Sequence, residues 1–291
     1  MMYLLCFGSI MLHAAQPMTV GEVELVADGF MFTEGPVWVD ASDTLLFSDI
    51  PADTIYDQDK AVFRKPSGQS NGLTLDSKGR LIACEHQNRR VTRTEKNGDI
   101  TVLANKYEGK RLNSPNDVVV RSDGVIFFTD PPYGLKGGLE GPDAELDFSG
   151  VYRIDGDGAL TLLKKDFIKP NGLALSPDET ILYIADTEGK HIRAFDVTAE
   201  GALQNGRVFC TLGGPDGMKV DTRGNAWCTA SDGVRIYSPE GKLVQTIICP
   251  EAPANCAFGN TDSRTLYITA RTGLYKIRTT VAGIRPKPDA K

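Results

Sequence analysis

Six polar residues recur at similar positions in front of short apolar segments, and every one carries a side-chain oxygen. They are Glu34, Asn71, Asn116, Asn171, Asp216 and Asn255, separated by intervals of 37, 45, 55, 45 and 39 residues. Carboxylate and carboxamide oxygens suit a hard cation such as Ca²⁺, whereas Zn²⁺ usually draws histidine or cysteine. The pattern predicts one divalent metal, with Ca²⁺ favoured and Zn²⁺, Mg²⁺ or Mn²⁺ as alternatives. Three or four of the six would bind the ion and leave positions open for water and substrate.

Each position taken singly also has an ordinary structural explanation. Asn71 and Asn171 both precede glycine, and Asn-Gly is a common turn dipeptide. Turn chemistry would equally accept Gly, Ser or Pro at these places, and it has no use for the carboxylate of Glu34. The coincidence of six oxygen-bearing side chains therefore favours a set of ligands over a set of turns.

Each of the six residues opens a predicted β-hairpin. In the third hairpin, Asn116 leads into the apolar segment 118–120, the chain turns at 122–124, and it returns through 125–128 to Asp130. Further short strands lie between these units, and almost no stretch shows a helical period. Six such units, spaced 37 to 55 residues apart, predict an all-β, six-bladed β-propeller with four-stranded blades. Because the innermost strands of a propeller line its channel, equivalent residues form a ring around the axis.

A single propeller domain accounts for residues 20–280. The last hairpin is followed by one clear strand, 273–278, so we expect the segment 23–26 to complete the sixth blade and close the ring. Residues 281–291 are then a C-terminal tail. Residues 1–15 resemble a cleaved export signal, although no Lys or Arg precedes their apolar run. The expected location is periplasmic or secreted if this segment is removed, and cytoplasmic otherwise.

Composition restricts the partners. The formal net charge of -6 and the pI near 5.2 argue against binding to nucleic acid or to an anionic membrane, since both need basic patches. We therefore expect a small-molecule substrate and a monomer or dimer. The segment 131–149, rich in Gly, Pro and acidic residues, leaves the polar end of the third hairpin. It is predicted to be a mobile loop, and it is either a lid over the site or a solvated insertion.

Five motifs resemble the gluconolactonase, or regucalcin-like (senescence marker protein), family of six-bladed propellers, particularly its bacterial lactonase branch. They are EGPVW, SPNDVVVRSDGVIFFTDPPYG, KPNGLALSPDETILYIADT, GGPDGMKVDTRGNAW and NCAFG with TLYITA, spanning about residues 30–278. The resemblance implies one divalent metal, commonly Ca²⁺, held by Glu34, Asn116, Asn171 and Asp216. It also implies Asp216 as the catalytic general base or the carboxylate that positions water. Animal members carry an arginine that contacts substrate at the position where this chain has Ser114. The substrate contacts expected here therefore differ from theirs.

A metal with open positions implies hydrolysis without a protein nucleophile. The ion would polarise a lactone carbonyl, as in glucono-1,5-lactone, and would stabilise the oxyanion that forms when water attacks. A ligating carboxylate is a weak base, so water acidified by the ion is an alternative nucleophile. An organophosphate or aryl ester hydrolase using the same metal is the second hypothesis. A non-catalytic propeller stiffened by the ion is the third. No H-E-x-x-H motif is present, and the one G-x-S-x-G match, at 68–72, opens a predicted hairpin with no helix after it, so it is not the strand-to-helix elbow of a serine hydrolase.

Several further polar residues are candidates for substrate binding at the same face. They are Asn71, His86, Asn113, Asp130, Tyr133 and Asn255, with Tyr133 and Phe32 as an apolar rim. An aspartate at a strand end is more often a turn or cap residue, and a lone histidine is usually structural. Asp117 follows Asn116 in an extended segment, so we expect its side chain to point away from the channel.

Overall fold

The computed structural model describes residues 17–285, which form a six-bladed β-propeller as the repeat predicted. Six four-stranded antiparallel sheets carry the chain, and a two-stranded sheet joins the second and third blades. Among the described residues, helix is limited to one 3-10 turn, Gly138–Glu140, and none is long and apolar enough to cross a membrane. The predicted export signal at 1–15 and the last part of the predicted tail, 286–291, lie outside the described residues.

The strands follow one another blade by blade. The chain begins with β1 (Thr19–Asp28), and the first blade holds β2 (Thr33–Val39), β3 (Thr44–Asp49), β4 (Thr54–Asp57) and β5 (Val62–Arg64). The second blade holds β6 (Ser70–Leu75), β7 (Leu81–Glu85), β8 (Arg90–Thr94) and β9 (Ile100–Ala104), followed by the hairpin β10 (Lys106–Tyr107) and β11 (Lys110–Arg111). The third holds β12 (Val118–Val120), β13 (Ile126–Asp130), β14 (Ser149–Ile154) and β15 (Leu160–Phe167).

The remaining blades repeat the same order. The fourth holds β16 (Pro170–Leu175), β17 (Ile181–Asp186), β18 (His191–Val197) and β19 (Leu203–Thr211). The fifth holds β20 (Met218–Val220), β21 (Ala226–Ala230), β22 (Gly233–Tyr237) and β23 (Leu243–Ile247). The sixth holds β24 (Pro253–Gly259), β25 (Thr265–Ala270) and β26 (Gly273–Thr279), and β1 pairs antiparallel with β26 as its outermost strand. The closure predicted for segment 23–26 is confirmed.

The first residues of the predicted tail pack against the propeller. Gly283 forms an antiparallel bridge with Asp221, and the Ile284 amide donates to the Val220 carbonyl at 3.2 Å. A β-carbon added at Gly283 would lie 2.0 Å from the Phe258 ring, so only glycine fits between the tail and the sixth blade. Residues 281–285 are therefore part of the folded domain.

Each second strand is apolar on both faces because it lies between two neighbouring blades. In β13, Phe127 packs with Leu173 and Ile184 of the fourth blade, whereas Phe128 packs with Ile82 and other residues of the second. Both phenylalanines are fully buried. Successive residues of a strand point to opposite faces, and both faces are covered here. This explains the unbroken apolar runs in the sequence.

Aspartates at the exits of these second strands hold the segments that enter each blade. The Asp49 carboxylate accepts from the Met31 and Phe32 amides at 2.9 and 3.0 Å. Asp186 accepts in the same way from the Ile168 and Lys169 amides at 2.8 and 3.0 Å. These bonds fix the backbone two or three residues before a ring residue. They therefore set the direction in which Glu34 and Asn171 enter the channel.

The loop at 131–149 is anchored at several points. Ser114 Oγ donates to the Pro131 carbonyl and accepts from the Gly134 amide. The buried Arg89 guanidinium donates to the Asp143 carbonyl at 2.7 Å. Leu135 and Leu146 are buried. These contacts differ from the mobile loop expected from composition, because the residues that hold the loop come from distant parts of the chain and composition does not reveal them.

Candidate functional site at the channel mouth

The six ring residues all lie at the end of the channel where the inner strands begin. Glu34, Asn71, Asn116, Asn171 and Asn255 are each at most 3% exposed. Asp216 is partly exposed, so its carboxylate is the member of the ring that solvent reaches. The six residues thus lie in equivalent places around the channel, as the repeat predicted.

Glycines after the ring residues allow the six inner strands to converge. The Gly72 amide donates to the Asn116 carbonyl at 2.7 Å, and the Gly172 amide donates to the Asp216 carbonyl at 3.1 Å. Gly72 and Gly172 lie within β6 and β16. The two Asn-Gly pairs are therefore strand segments in close contact with the next blade, and neither is a turn.

Hydroxyl groups from the second strands join one blade to the ring residue of the next. Ser48 Oγ donates to the Asn71 carbonyl and Thr129 Oγ1 donates to the Asn171 carbonyl, each at 2.8 Å. Both hydroxyl residues are fully buried. The main chain at the ring is thus held by partners from the preceding blade, which favours a rigid site.

Asn255 orients Glu34. Glu34 Oε2 accepts from the Gly35 amide at 2.7 Å and from Asn255 Nδ2 at 3.1 Å, and Asn255 Oδ1 accepts from the Cys256 amide at 2.9 Å. Both ends of the Asn255 carboxamide are therefore engaged within the protein. This geometry gives Asn255 a supporting task in place of the substrate contact expected from sequence, and it leaves Glu34 Oε1 to face a ligand.

Two carboxamide oxygens in the ring are buried without a hydrogen-bond partner among residues 17–285. They are Oδ1 of Asn71 and Oδ1 of Asn171. Asn171 Nδ2 donates to Thr187 Oγ1 at 3.1 Å, and Asn71 Nδ2 lies 3.3 Å from His86 Nε2. The nitrogen of each carboxamide has a partner, so its oxygen is free to bind a cation or to accept a hydrogen bond from a ligand. Unpaired buried oxygens are costly unless something binds them.

The positive charges of Lys219 and Arg271 only weakly offset the burial of the two ring carboxylates, Glu34 and Asp216. Burial and the nearby Asp117 raise the pKa of Glu34 from 4.5 to about 7. Burial and the repulsion of Glu34 raise the pKa of Asp216 well above its usual range. Within residues 17–285 no three His, Cys, Asp or Glu side chains have metal-binding geometry by themselves, so a cation needs the asparagine oxygens. The donor set, all oxygen with two carboxylates, fits a hard divalent cation.

His86 is neutral and buried beside the ring. Burial lowers its pKa from 6.5 to about 4, and it is 6% exposed. An unprotonated Nε2 accepts from Asn71 Nδ2, which turns the Asn71 oxygen the other way. His86 therefore fixes the orientation of Asn71, the task that a histidine next to a binding residue commonly has.

The prediction that Asp117 points away from the channel is wrong. Asp117 Oδ1 accepts from the Val118 amide at 2.9 Å, and Oδ2 lies 3.5 Å from Asn255 Nδ2. Asn255 belongs to the sixth blade, opposite the third, so the Asp117 carboxylate lies at the axis. Regular alternation begins only at Val118, where β12 starts, and the residue before it does not obey the strand pattern.

Asn113 and Asp130 are fully buried and bind each other. The Asn113 amide donates to Asp130 Oδ2 at 2.8 Å, and Asn113 Nδ2 donates to the Asp130 and Phe148 carbonyls. Asp130 thus repeats the arrangement of Asp49 and Asp186. Both residues support the third blade's entry, and Oδ1 of each is buried without a hydrogen-bond partner among residues 17–285. Their predicted contact with substrate stays a prediction.

The mouth of the channel carries aromatic and basic side chains. Tyr133 is 40% exposed, and its hydroxyl lies against Asn171 and Thr187. Lys169 Nζ lies 5.4 Å from the Tyr133 ring centroid, and the Arg271 guanidinium lies 5.2 Å from that of Phe32. The expected rim of Tyr133 and Phe32 is therefore at the entrance. The sequence did not predict three further residues at the mouth, Thr187, Lys169 and Arg271. Each lies within three residues of the end of a strand in the predicted repeat.

The raised pKa values predict how pH affects the metal-free protein. Glu34 and Asp130 both have a pKa near 7 when folded because burial favours their neutral forms. The unfolded chain releases these protons near their ordinary values, 4.5 and 3.8. The folded state therefore binds more protons between those values and about 7, and its free energy of unfolding should fall as pH rises through that range.

Thermal unfolding of chelator-treated protein from about pH 5 to about pH 8 measures this effect. The unfolding midpoint should decrease over the range, and Glu34→Gln should make the decrease shallower because one titrating group is removed. Added Ca²⁺ should also flatten the profile, since a bound cation stabilises the ionised form. A midpoint that rises with pH in the metal-free protein contradicts the prediction.

The amino-acid sequence is similar to those of known proteins. Residues 32–272 match the family described as the SMP-30/gluconolactonase/LRE-like region. A gluconolactonase from Zymomonas mobilis is 33% identical over 294 aligned residues, which cover 90% of this chain and 82% of that protein. Regucalcin from Sus scrofa is 29% identical, with 83% of this chain and 84% of that protein covered.

A solved structure shows the same likeness. The gluconolactonase from Xanthomonas campestris superposes with a TM-score of 0.81 and 32% identity, covering 92% of this chain and 99% of that one. The span matched by the family begins before Glu34 and ends after Asn255. The matched span therefore covers the positions of all six ring residues.

Proposed function

The chain belongs to the SMP-30/gluconolactonase/LRE-like family, and from that premise we propose that it opens a sugar lactone with the help of one divalent cation. Its relatives named gluconolactonase and pentonolactonase place it among the lactonases, a class of carboxylic ester hydrolases. The observation that carries the metal proposal is a pair of carboxylates with raised pKa values, buried Glu34 and partly exposed Asp216, beside the unpaired oxygen of Asn171. Glucono-1,5-lactone is the substrate we propose first.

Glu34, Asn116, Asn171 and Asp216 would hold the cation, and Ca²⁺ suits their oxygens best. When bound, the ion supplies Lewis-acid polarisation of the lactone carbonyl. The protein's contribution is to fix these ligands before substrate arrives. Asn255 holds Glu34, and Thr187 holds Asn171 through its Nδ2. Such supporting hydrogen bonds restrict the side chains to one arrangement and reduce the cost of ordering them during the reaction.

Asp216 is the proposed general base. It is the ring carboxylate that solvent reaches, so it can hold the attacking water and accept its proton at a carboxylate oxygen. Burial and the charge of Glu34 raise its pKa in the metal-free protein, whereas a bound cation would lower that pKa and keep the carboxylate ionised, ready to accept a proton. The proton can then pass to the ring oxygen of the lactone as the C–O bond breaks, giving the open hydroxy acid.

The residues at the mouth would orient the sugar. The Tyr133 hydroxyl lies next to Asn171 and offers both a donor and an acceptor to substrate hydroxyl groups. The Tyr133 and Phe32 rings provide apolar surface for a sugar face. Neutral His86 accepts a hydrogen bond from Asn71 Nδ2 and thereby fixes the orientation of the Asn71 oxygen. This arrangement of few polar groups beside apolar surface is typical of small-molecule sites.

Metal removal tests the proposal. Chelator-treated protein should lose at least about 100-fold of its rate of glucono-1,5-lactone opening, followed with a pH indicator and corrected for spontaneous hydrolysis. Adding Ca²⁺ should restore the rate, and a panel of Mg²⁺, Mn²⁺ and Zn²⁺ identifies the preferred ion. Full activity after complete metal removal contradicts the metal mechanism. Metal-loaded protein that opens no lactone contradicts the activity itself and directs attention to aryl esters and organophosphates.

A further inference from the structure

Two cation–aromatic pairs lie on opposite sides of the mouth. Phe32 and Lys169 occupy equivalent positions, each two residues before a ring residue, and the amide of each donates to an aspartate at 3.0 Å. The Arg271 guanidinium lies 5.2 Å from the Phe32 ring centroid, and Lys169 Nζ lies 5.4 Å from that of Tyr133. In both pairs the partner comes from the preceding blade. The first and fourth blades are opposite in a ring of six, so one positive charge lies on each side of the entrance.

The two positive charges differ in their partners. Lys169 Nζ forms an ion pair with Glu188 at 3.0 Å, so its charge is balanced locally. Arg271 has neither an ion pair within 4.0 Å nor a side-chain hydrogen bond among residues 17–285. Glu251, on the connection that enters the sixth blade, accepts from the Thr272 amide at 3.0 Å and interacts with Arg271 only at longer range. Arg271 is therefore an unpaired arginine at the entrance.

Arg271 belongs to a level of residues directly above the ring. Its main-chain carbonyl accepts from the Thr33 amide at 2.8 Å, beside Glu34. It is the first residue after the second strand of its blade, as His86 and Thr187 are in theirs, and those two lie within hydrogen-bond distance of ring carboxamides. Arg271 is the only charged residue among the six that follow second strands, which are Ile50, His86, Pro131, Thr187, Ser231 and Arg271.

The charge of Arg271 stays available when the site holds a cation. Arg271 and Asp216 are within electrostatic range, although no ion pair joins them among the described residues. In the proposed function the Asp216 carboxylate binds the cation, so it does not neutralise the arginine. The guanidinium is exposed and lies against the Phe32 ring. Its planar set of donors matches a carboxylate or a phosphate, which it binds through two parallel hydrogen bonds.

We propose that Arg271 selects sugar lactones that carry an anionic oxygen group, a carboxylate or a phosphate, on the carbon outside the lactone ring. The inference rests on the proposed lactonase function and adds the substrate class. With the lactone carbonyl at the ring of oxygens, the anionic group pairs with the Arg271 guanidinium, which the Phe32 ring supports from its other side. Pairing through two hydrogen bonds also fixes the orientation of the substrate, so the group contributes to specificity as well as to affinity.

Kinetics with matched lactones test the proposal on metal-loaded protein. Glucono-1,5-lactone is neutral, whereas the 1,5-lactone of glucaric acid carries a carboxylate outside the ring and the phosphate ester of glucono-1,5-lactone carries a phosphate there. Arg271→Met should lower the ratio of kcat/KM for at least one anionic lactone to that for the neutral lactone by about ten-fold or more, because a charge-assisted hydrogen bond is lost. The lactone with the larger loss identifies the anionic group. Any effect of the variant on Asp216 is common to all three substrates and cancels in the ratio.

Arg264→Met is the matched control. Arg264 is an exposed arginine of the same blade, in the turn between β24 and β25 at the opposite end of the propeller, and its loss should leave the ratio unchanged. Arg271→Lys keeps the charge but lacks the planar set of donors, so its ratio should lie between those of the wild type and Arg271→Met. Arg271→Gln replaces the methionine variant if that variant does not fold.

Two results overturn the proposal while leaving the lactonase function intact. One is a ratio within about two-fold of the wild type in Arg271→Met or Arg271→Gln. The other is wild-type protein that opens glucono-1,5-lactone but neither anionic lactone. Wild-type protein that opens none of the three lactones overturns the proposed function and this inference together.

Discussion

Asp216→Asn is expected to lower kcat/KM for glucono-1,5-lactone by about 1,000-fold. The substitution keeps the size of the side chain but removes the charge that would hold the cation and the base that would accept a proton from water. Asp216 is also the ring carboxylate that is partly exposed, so no neighbouring ring group can take its place at the opening. Steady-state kinetics with saturating Ca²⁺ measure the loss, and circular dichroism should show an unchanged β-sheet spectrum.

The same variant should be more stable than the wild type when both are free of metal. Burial and repulsion from Glu34 raise the pKa of Asp216, and a neutral side chain at 216 removes that repulsion. Asp232→Asn is the matched control, since Asp232 lies in the turn between β21 and β22 of the same blade and pairs with Arg235 at 2.6 Å. It should leave activity unchanged. Wild-type activity in Asp216→Asn contradicts the assigned role.

The ring could be predicted from sequence because a propeller converts a linear repeat into circular geometry. Residues at the same place in successive units, such as Glu34, Asn171 and Asp216, lie at the same depth around the axis once the blades close. No knowledge of side-chain contacts is needed for that step. The position of the closing strand followed from counting, since the sixth blade lacked one strand and β1 had no other partner.

Contacts across the axis could not be predicted in this way. Asp117 and Asn255 meet from opposite blades at 3.5 Å, and the local alternation of residues contains nothing about the opposite blade. Such contacts depend on how closely six backbones approach one another, which is a property of the assembled ring.

The position of Asp130 shows a signal that the sequence did contain. Asp49, Asp130 and Asp186 occupy equivalent exits of their hairpins, and each accepts from backbone amides about 17 residues earlier. A structural repeat of this kind predicts a cap, because a substrate contact has no reason to recur in three blades. The equivalent positions of the three aspartates therefore predict the capping bond of Asp130 from sequence alone.

Gly172→Ala is expected to destabilise the protein by about 3 kcal/mol or more and to disrupt the site at the same time. A β-carbon at this position would lie 2.3 Å from the Asp216 carbonyl oxygen and 2.7 Å from the Gly217 α-carbon. Both neighbours are main-chain atoms of the next inner strand, so no side chain can rotate to make room. The fourth and fifth blades would have to separate at the axis.

That separation would carry Asp216 away from Asn171, so kcat/KM should fall even in molecules that remain folded. Chemical denaturation measures the change in stability, and calorimetry with Ca²⁺ measures the loss of affinity. Gly156→Ala is the control, because a β-carbon there meets no atom within 4 Å and the backbone φ is not positive; it should change stability by no more than about 0.5 kcal/mol. Gly172→Ala with wild-type stability would mean that the inner strands do not approach so closely. Because the glycine that permits the approach directly follows a proposed ligand, the packing of the ring and the geometry of the site depend on the same residues.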